Sequence, residues 1–181
     1  VDVTCLTCHP KTPEDCSACH GGTGGPAPPE DLAGNTGTSF RGVGAHQAHL
    51  TESAVSRALA CDECHTVPEA LDAAGHVDSA MPAEVTFGEL ARSEDSTPAW
   101  DGTTCANTYC HGAFEGGNKA SVTWTDVGAG KAACGTCHGS PPTSGHPDND
   151  NCSMCHPRVA DDDLNILDRS LHMNGEVEIG G

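Results

Sequence analysis

The chain has 181 residues and a formal net charge of -18, with 26 Asp and Glu against 8 Lys and Arg, which argues against nucleic acid and anionic membrane surfaces as partners. Only two Trp, one Tyr and three Phe accompany 22 Gly and 12 Pro, so the side chains alone make a poor core and something else must fill the interior. No run of 18 apolar residues exists, which argues against a transmembrane segment, and 12 cysteines demand disulfides, metals or haem.

The chain opens on two closely spaced motifs, Cys5-Leu-Thr-Cys8-His9 and Cys16-Ser-Ala-Cys19-His20. No charged n-region and apolar h-region precede them, as in an exported product whose signal peptide has been removed. Gly21 to Gly25 and Pro26 to Glu30 then interrupt regular structure. The best helix runs from Ala45 to Ala60, where Leu50, Ala54, Val55, Ala58 and Leu59 form an apolar stripe, and it leads straight into Cys61-Asp-Glu-Cys64-His65. Glu84 to Phe87 has strand-like composition. A soft division falls near Thr97. The fourth motif, Cys105-Ala-Asn-Thr-Tyr-Cys110-His111, places four residues between its cysteines and must bulge outward to bring them together. Tyr109 within it is a packing residue or a neighbour of the bound group. Val122 to Thr125 again has strand-like composition, followed by Cys134-Gly-Thr-Cys137-His138, the breakers Ser140 to Gly145, and Cys152-Ser-Met-Cys155-His156. Asp161-Asp162-Asp163 reads as a solvated turn or helix cap rather than a calcium site, since other ligands at loop spacing are missing. Leu164 to His172 is expected to form a last helical turn or two, and short helical turns are expected to hold the attachment motifs.

The second cysteine of every pair is followed at once by histidine, and no cysteine is left over. With 11 histidines in 181 positions, six such coincidences arise by chance with a probability of about 10⁻⁷. Each thiol pair adds across two haem vinyl groups and the adjacent histidine presents Nε2 to the iron, so the motifs call for six haem c groups. Zinc fits poorly, because two Cys-x-x-Cys knuckles share one zinc and a histidine flush against a cysteine is an awkward ligand in the same tetrahedron. A thioredoxin-type motif needs an alternating strand and helix pattern, and a disulfide framework leaves the six histidines unexplained.

The cofactor-binding cysteines are thus Cys5, Cys8, Cys16, Cys19, Cys61, Cys64, Cys105, Cys110, Cys134, Cys137, Cys152 and Cys155, with His9, His20, His65, His111, His138 and His156 as proximal iron ligands. Five histidines remain, His46, His49, His76, His146 and His172, and haems need distal ligands. His46 and His49 stand three apart and on a helix share a face from which they reach two neighbouring irons. Six haems with two histidines each require 12 and the chain has 11, so one iron differs, with Met81, the Val1 amine, water or nothing in its sixth position. Trp100 and Trp124 are expected to pack on haem or on each other.

Successive motifs start 11, 45, 44, 29 and 18 residues apart, so no solenoid period exists. The expected fold is mostly irregular, with a few short α-helices and little or no β structure around a stack of haems. Residues 1–181 form one hexahaem domain, or two small lobes meeting near residue 97.

Gly44-Ala-His-Gln-Ala-His-Leu50, Cys61 to His65, Cys105 to His111, Cys134 to Pro142 and Cys152 to Pro157 together resemble the CxxxxCH/CxxCH multihaem c-type cytochromes of metal- and sulfur-respiring bacteria. That resemblance implies an exported electron carrier. At roughly 30 residues per haem the irons are crowded, and two histidines per iron favour low potential and little rearrangement on reduction, which suits conduction more than catalysis. The expected role is electron transfer in the periplasm or outside the cell, between redox partner cytochromes or extracellular acceptors. A filament of stacked protomers extends that role. A discrete soluble carrier, or a small reductase working at the odd haem, are the alternatives.

Overall fold

A computed structural model describes residues 16, 20, 21, 29–70 and 72–180. Cys5, Cys8, His9 and Cys19 lie outside the described residues. The architecture is mostly irregular, as the density of glycine and proline requires. Helix α1 spans His46–Leu50 and α2 spans Cys152–Cys155, with 3-10 turns at Cys61–Glu63, Leu90–Arg92 and Tyr109–His111. Among the described residues no helix is long and apolar enough to cross a membrane.

The helix expected over residues 45–60 stops at Leu50, and Thr51 is already extended, at φ -113° and ψ 136°. Serine chemistry wins over the apolar stripe there. The Ser53 hydroxyl accepts the N–H groups of Val55 and Ser56 at 3.2 and 3.0 Å, turning the chain so that Leu59 N–H donates to the His49 carbonyl at 2.8 Å. Arg169 then holds the turn from outside, donating to the Ser53 carbonyl at 2.5 Å and pairing with Glu52 at 3.3 Å.

Three short antiparallel strands, β1 Ala99–Trp100, β2 Thr104–Ala106 and β3 Val122–Thr123, pair in the order β1-β2-β3. Trp100 and Val122 flank Cys105 on either side. The β1–β2 connection is an Asx turn in which an Asp101 carboxylate oxygen accepts the N–H groups of Thr103 and Thr104 at 2.8 and 2.7 Å. The expected strand at Val122 is therefore present and two residues long. Residues 84–87 form no strand and join no sheet. They lie along the third motif instead, where Thr86 N–H reaches the Cys64 carbonyl and Gly88 N–H the Glu63 carbonyl, each at 2.9 Å.

Leu164 to His172 is not helical. Asp161 accepts the N–H groups of Asp163 and Asn165 and the Asn165 amide, closing a tight loop in which Leu164 takes a left-handed φ of 64°. Such a residue cannot open a helix. The reading of residues 161–163 as a solvated turn agrees with this loop.

The polypeptide buries little by itself. Val43, Leu90 and Ala91 are the buried apolar residues among those described, and no large side chain is fully enclosed. The accessible surface is 11508 Å², against about 8,200 Å² for a compact chain of 18.5 kDa. Hydrogen bonds hold the loops across the chain midpoint, from Arg41 to the Gly102 carbonyl at 3.3 Å and from Trp124 to the Arg41 carbonyl at 2.7 Å.

Candidate haem centres

Local structure draws the described motifs tight. His20, His65 and His156 donate their backbone N–H to the carbonyls of Cys16, Cys61 and Cys152 at 3.0, 2.9 and 2.8 Å, one helical turn that sets a histidine beside the cysteine four residues earlier. The fourth motif does this differently. Cys105 lies in β2, Asn107 turns left-handed at φ 54°, and Cys110 and His111 follow in a 3-10 turn. The two additional residues form this outward kink. Gly112 leaves the turn at φ 86°, and a Cβ there would sit 2.3 Å from the Cys137 carbonyl oxygen, so only glycine lets the fourth and fifth motifs approach. The fifth motif turns at Gly135 without a helical segment.

Every histidine outside the motifs faces one inside them. Ring centres are 6.0 Å apart for His20 and His76, 6.3 Å for His65 and His46, and 6.1 Å for His111 and His49. They are 6.3 Å apart for His138 and His172, and 6.0 Å for His156 and His146. These separations, nearly equal in all five pairs, suit one intervening metal. Two metal–imidazole bonds of about 2 Å, with about 1.1 Å from nitrogen to ring centre, together span about 6.2 Å.

Tautomers point the same way. Nδ1 of His46, His49, His65 and His138 lies 2.9, 2.8, 2.7 and 2.6 Å from the carbonyls of Val43, Ala45, Glu84 and Gly139. Nδ1 of His146, His156 and His172 lies 2.7, 2.5 and 2.5 Å from those of Pro147, Glu178 and Val55. A carbonyl accepts only, so Nδ1 carries the proton and Nε2 keeps its lone pair for a metal. Sequence reasoning missed these seven carbonyls, because a backbone acceptor has no residue signature.

Electrostatics favour neutral ligands. Burial pushes the His111 imidazole down to about 4, and burial also lowers His46 and His172. Burial pushes the Cys64 thiol up to about 11 and Cys110 to about 12, with Cys105 adding to the rise at Cys64, and Cys64 and Cys137 to that at Cys110. The nine described cysteines are all free of disulfides.

Thr108, inside the fourth motif, has a buried hydroxyl with no partner among the described residues. A bound group or ordered water with polar atoms satisfies such an orphan. Glu63, inside the third motif, accepts the N–H groups of Leu90 and Ala91 at 3.1 and 3.2 Å and so anchors the 3-10 turn that packs on Tyr109–His111. Tyr109 itself packs on Phe114, with ring centres 5.4 Å apart, and Phe114 on His138 at 6.1 Å. Trp100 and Trp124 meet edge to face at 6.4 Å.

A thiol pair next to an imidazole, with a second imidazole facing the first across about 6 Å, is the residue chemistry that covalent c-type haem attachment uses. Residues 104–138 match the family model described as the Geobacter CxxxxCH...CXXCH motif, a multihaem c-type cytochrome motif family. The match covers β2, β3 and the fourth and fifth attachment motifs, a narrower stretch than the resemblance drawn from residue 44 onward. The motif implies bound haem c and haem-based electron transfer, and proteins of this kind are typically electron carriers. No curated protein and no solved structure matches the chain.

Proposed function

We propose that the chain carries six haem c groups and conducts electrons along them outside the cytoplasm. The observation that carries this reading is the set of five histidine pairs, each at the span one iron requires. Bound haem iron supplies the one-electron chemistry. In five of the six centres paired histidines would hold it through Nε2, seven of those rings with Nδ1 bonded to a backbone carbonyl, so little would move when an electron arrives. Close approach of neighbouring centres follows from α1, which offers His46 and His49 to two different motifs.

The pairs use ten of the 11 histidines, and His9 is the one that remains. The odd iron is therefore assigned to Cys5-Leu-Thr-Cys8-His9, with a sixth ligand other than histidine or none. Met81 is well exposed, at 77 %, and stays a candidate. The low surface burial supports the haems as the core of one unit spanning residues 1–181.

Covalent haem attachment takes place outside the cytoplasm, which supports a location in the periplasm or beyond it. The net charge of -18 suits a basic redox partner. Stacking of protomers into a conductive filament extends the same reading, with a discrete carrier as the alternative, and negative-stain imaging separates the two. Intact-mass measurement with a pyridine haemochrome assay tests the whole proposal. Six added haem masses are expected, and a chain without them ends it.

A further inference from the structure

Two of the paired histidines share one neighbour that the proposed ligation does not use. Trp124 lies just beyond β3, and its indole stacks on the His49 ring at 5.8 Å and 17°, while the His46 ring meets it edge-on at 4.8 Å and 88°. One rigid plane thus turns the two imidazoles against each other.

The indole is itself tightly held. Its Nε1–H donates to the Arg41 carbonyl at 2.7 Å, its backbone N–H donates to the Thr103 carbonyl at 2.9 Å, and Trp100 abuts it at 80°. Gly44 turns at φ 42°, and a Cβ there would fall 2.0 Å from Nε1, so this glycine makes room for the indole. Bonds from Nδ1 to the Val43 and Ala45 carbonyls select the tautomers and aim Nε2. A single bond of that kind leaves the ring free to roll about the line from Nδ1 to the metal, and the indole face removes that freedom.

The consequence appears in the pair geometry. The rings of His46 and His65 are near parallel, at 29°, as are those of His146 and His156 at 22° and of His20 and His76 at 33°. Those of His49 and His111 stand at 84°, and those of His138 and His172 at 68°. An imidazole donates π density to the iron d orbital perpendicular to its plane. Parallel rings raise one of two such orbitals and split them, giving a rhombic low-spin spectrum, whereas crossed rings raise both alike and give a highly anisotropic one.

We infer that Trp124 is a positioning residue that sets the imidazole planes of His46 and His49, placing the Cys61–His65 and Cys105–His111 centres in opposite electronic classes. This rests on the proposed five-pair ligation and adds to it a division into three near-parallel and two crossed centres.

Electron paramagnetic resonance of the oxidised holoprotein, with haem content checked by mass, tests it. The wild type is expected to show highly anisotropic signal from two centres and rhombic signal from three. Trp124→Ala should halve the anisotropic share as the His49 ring is freed to roll, and Trp124→Phe, which keeps a flat face, should restore it. Should Trp124→Ala fail to mature, Trp124→Leu retains apolar volume without a flat face and is expected to show the same halving. A Trp124→Ala or Trp124→Leu protein with full haem and an unchanged spectrum overturns the inference. His49→Ala separates the two layers of argument: it should remove the same anisotropic signal, and if every low-spin signal survives it, the ligand pairing itself is wrong.

Discussion

His172 shows how much one side chain carries here. Its Nδ1 lies 2.5 Å from the Val55 carbonyl, 117 residues away in sequence, while its ring faces His138 at 6.3 Å. It therefore joins the C-terminal loops to the segment after α1 and is the proposed second ligand of the fifth centre. His172→Ala should leave five centres intact and open one, so that the reduced protein binds one more carbon monoxide per chain than the wild type by optical titration. No gain in binding would mean that another group holds that position. The five histidines outside the motifs stood out in the sequence because each haem needs a second axial donor. Which histidine meets which motif was not legible, because the partners are separated by as few as 10 residues, in His146 and His156, and as many as 62, in His49 and His111.

Turns, rather than long helices or strands, are the working elements. Asp31 to Asn35 and Asp161 to Asn165 form the same loop, in which the leading aspartate accepts two backbone N–H groups and the asparagine amide. The fourth position is left-handed in both, and it is Gly34 at φ 81° in one and Leu164 at φ 64° in the other. Leucine bears a steric cost there that glycine does not. Leu164→Gly is expected to stabilise the protein by about 1 kcal/mol, read as a thermal midpoint higher by roughly 2–4 °C. A lower midpoint would show that the leucine side chain contributes more by packing than its backbone costs. The same loop explains why the helix expected over Leu164 to His172 is absent: the apolar residues at 164, 166, 167 and 171 suit a helix, but Asp161 and Asn165 capture the backbone groups a first turn needs.

For the whole molecule the deciding quantity is burial. Three buried apolar residues among those described, and an accessible surface about 40 % above that of a compact chain of this mass, leave the polypeptide without enough core to fold alone. Haem-free protein, made by substituting all 12 cysteines with serine, should show a disordered far-ultraviolet circular dichroism spectrum and no cooperative melting. A native-like spectrum from that chain would mean that the loops and the small sheet hold the fold without the cofactor.

Covalent chemistry was written in the sequence, because thioether attachment and proximal ligation need Cys, Cys and His at contiguous positions, and contiguity survives any fold. Low aromatic content and abundant glycine likewise announced a loop-rich chain in which few elements are regular. The tertiary structure alone decided the pairs, the seven carbonyls beside Nδ1, and the place of Trp124 against His46 and His49, since each depends on segments meeting across gaps that loops of almost any course can bridge. It also cut the expected 16-residue helix to five residues: amphipathic periodicity measures what a segment can bury, whereas the course it takes is set by where Ser53, Val55 and Leu59 find their hydrogen-bond partners.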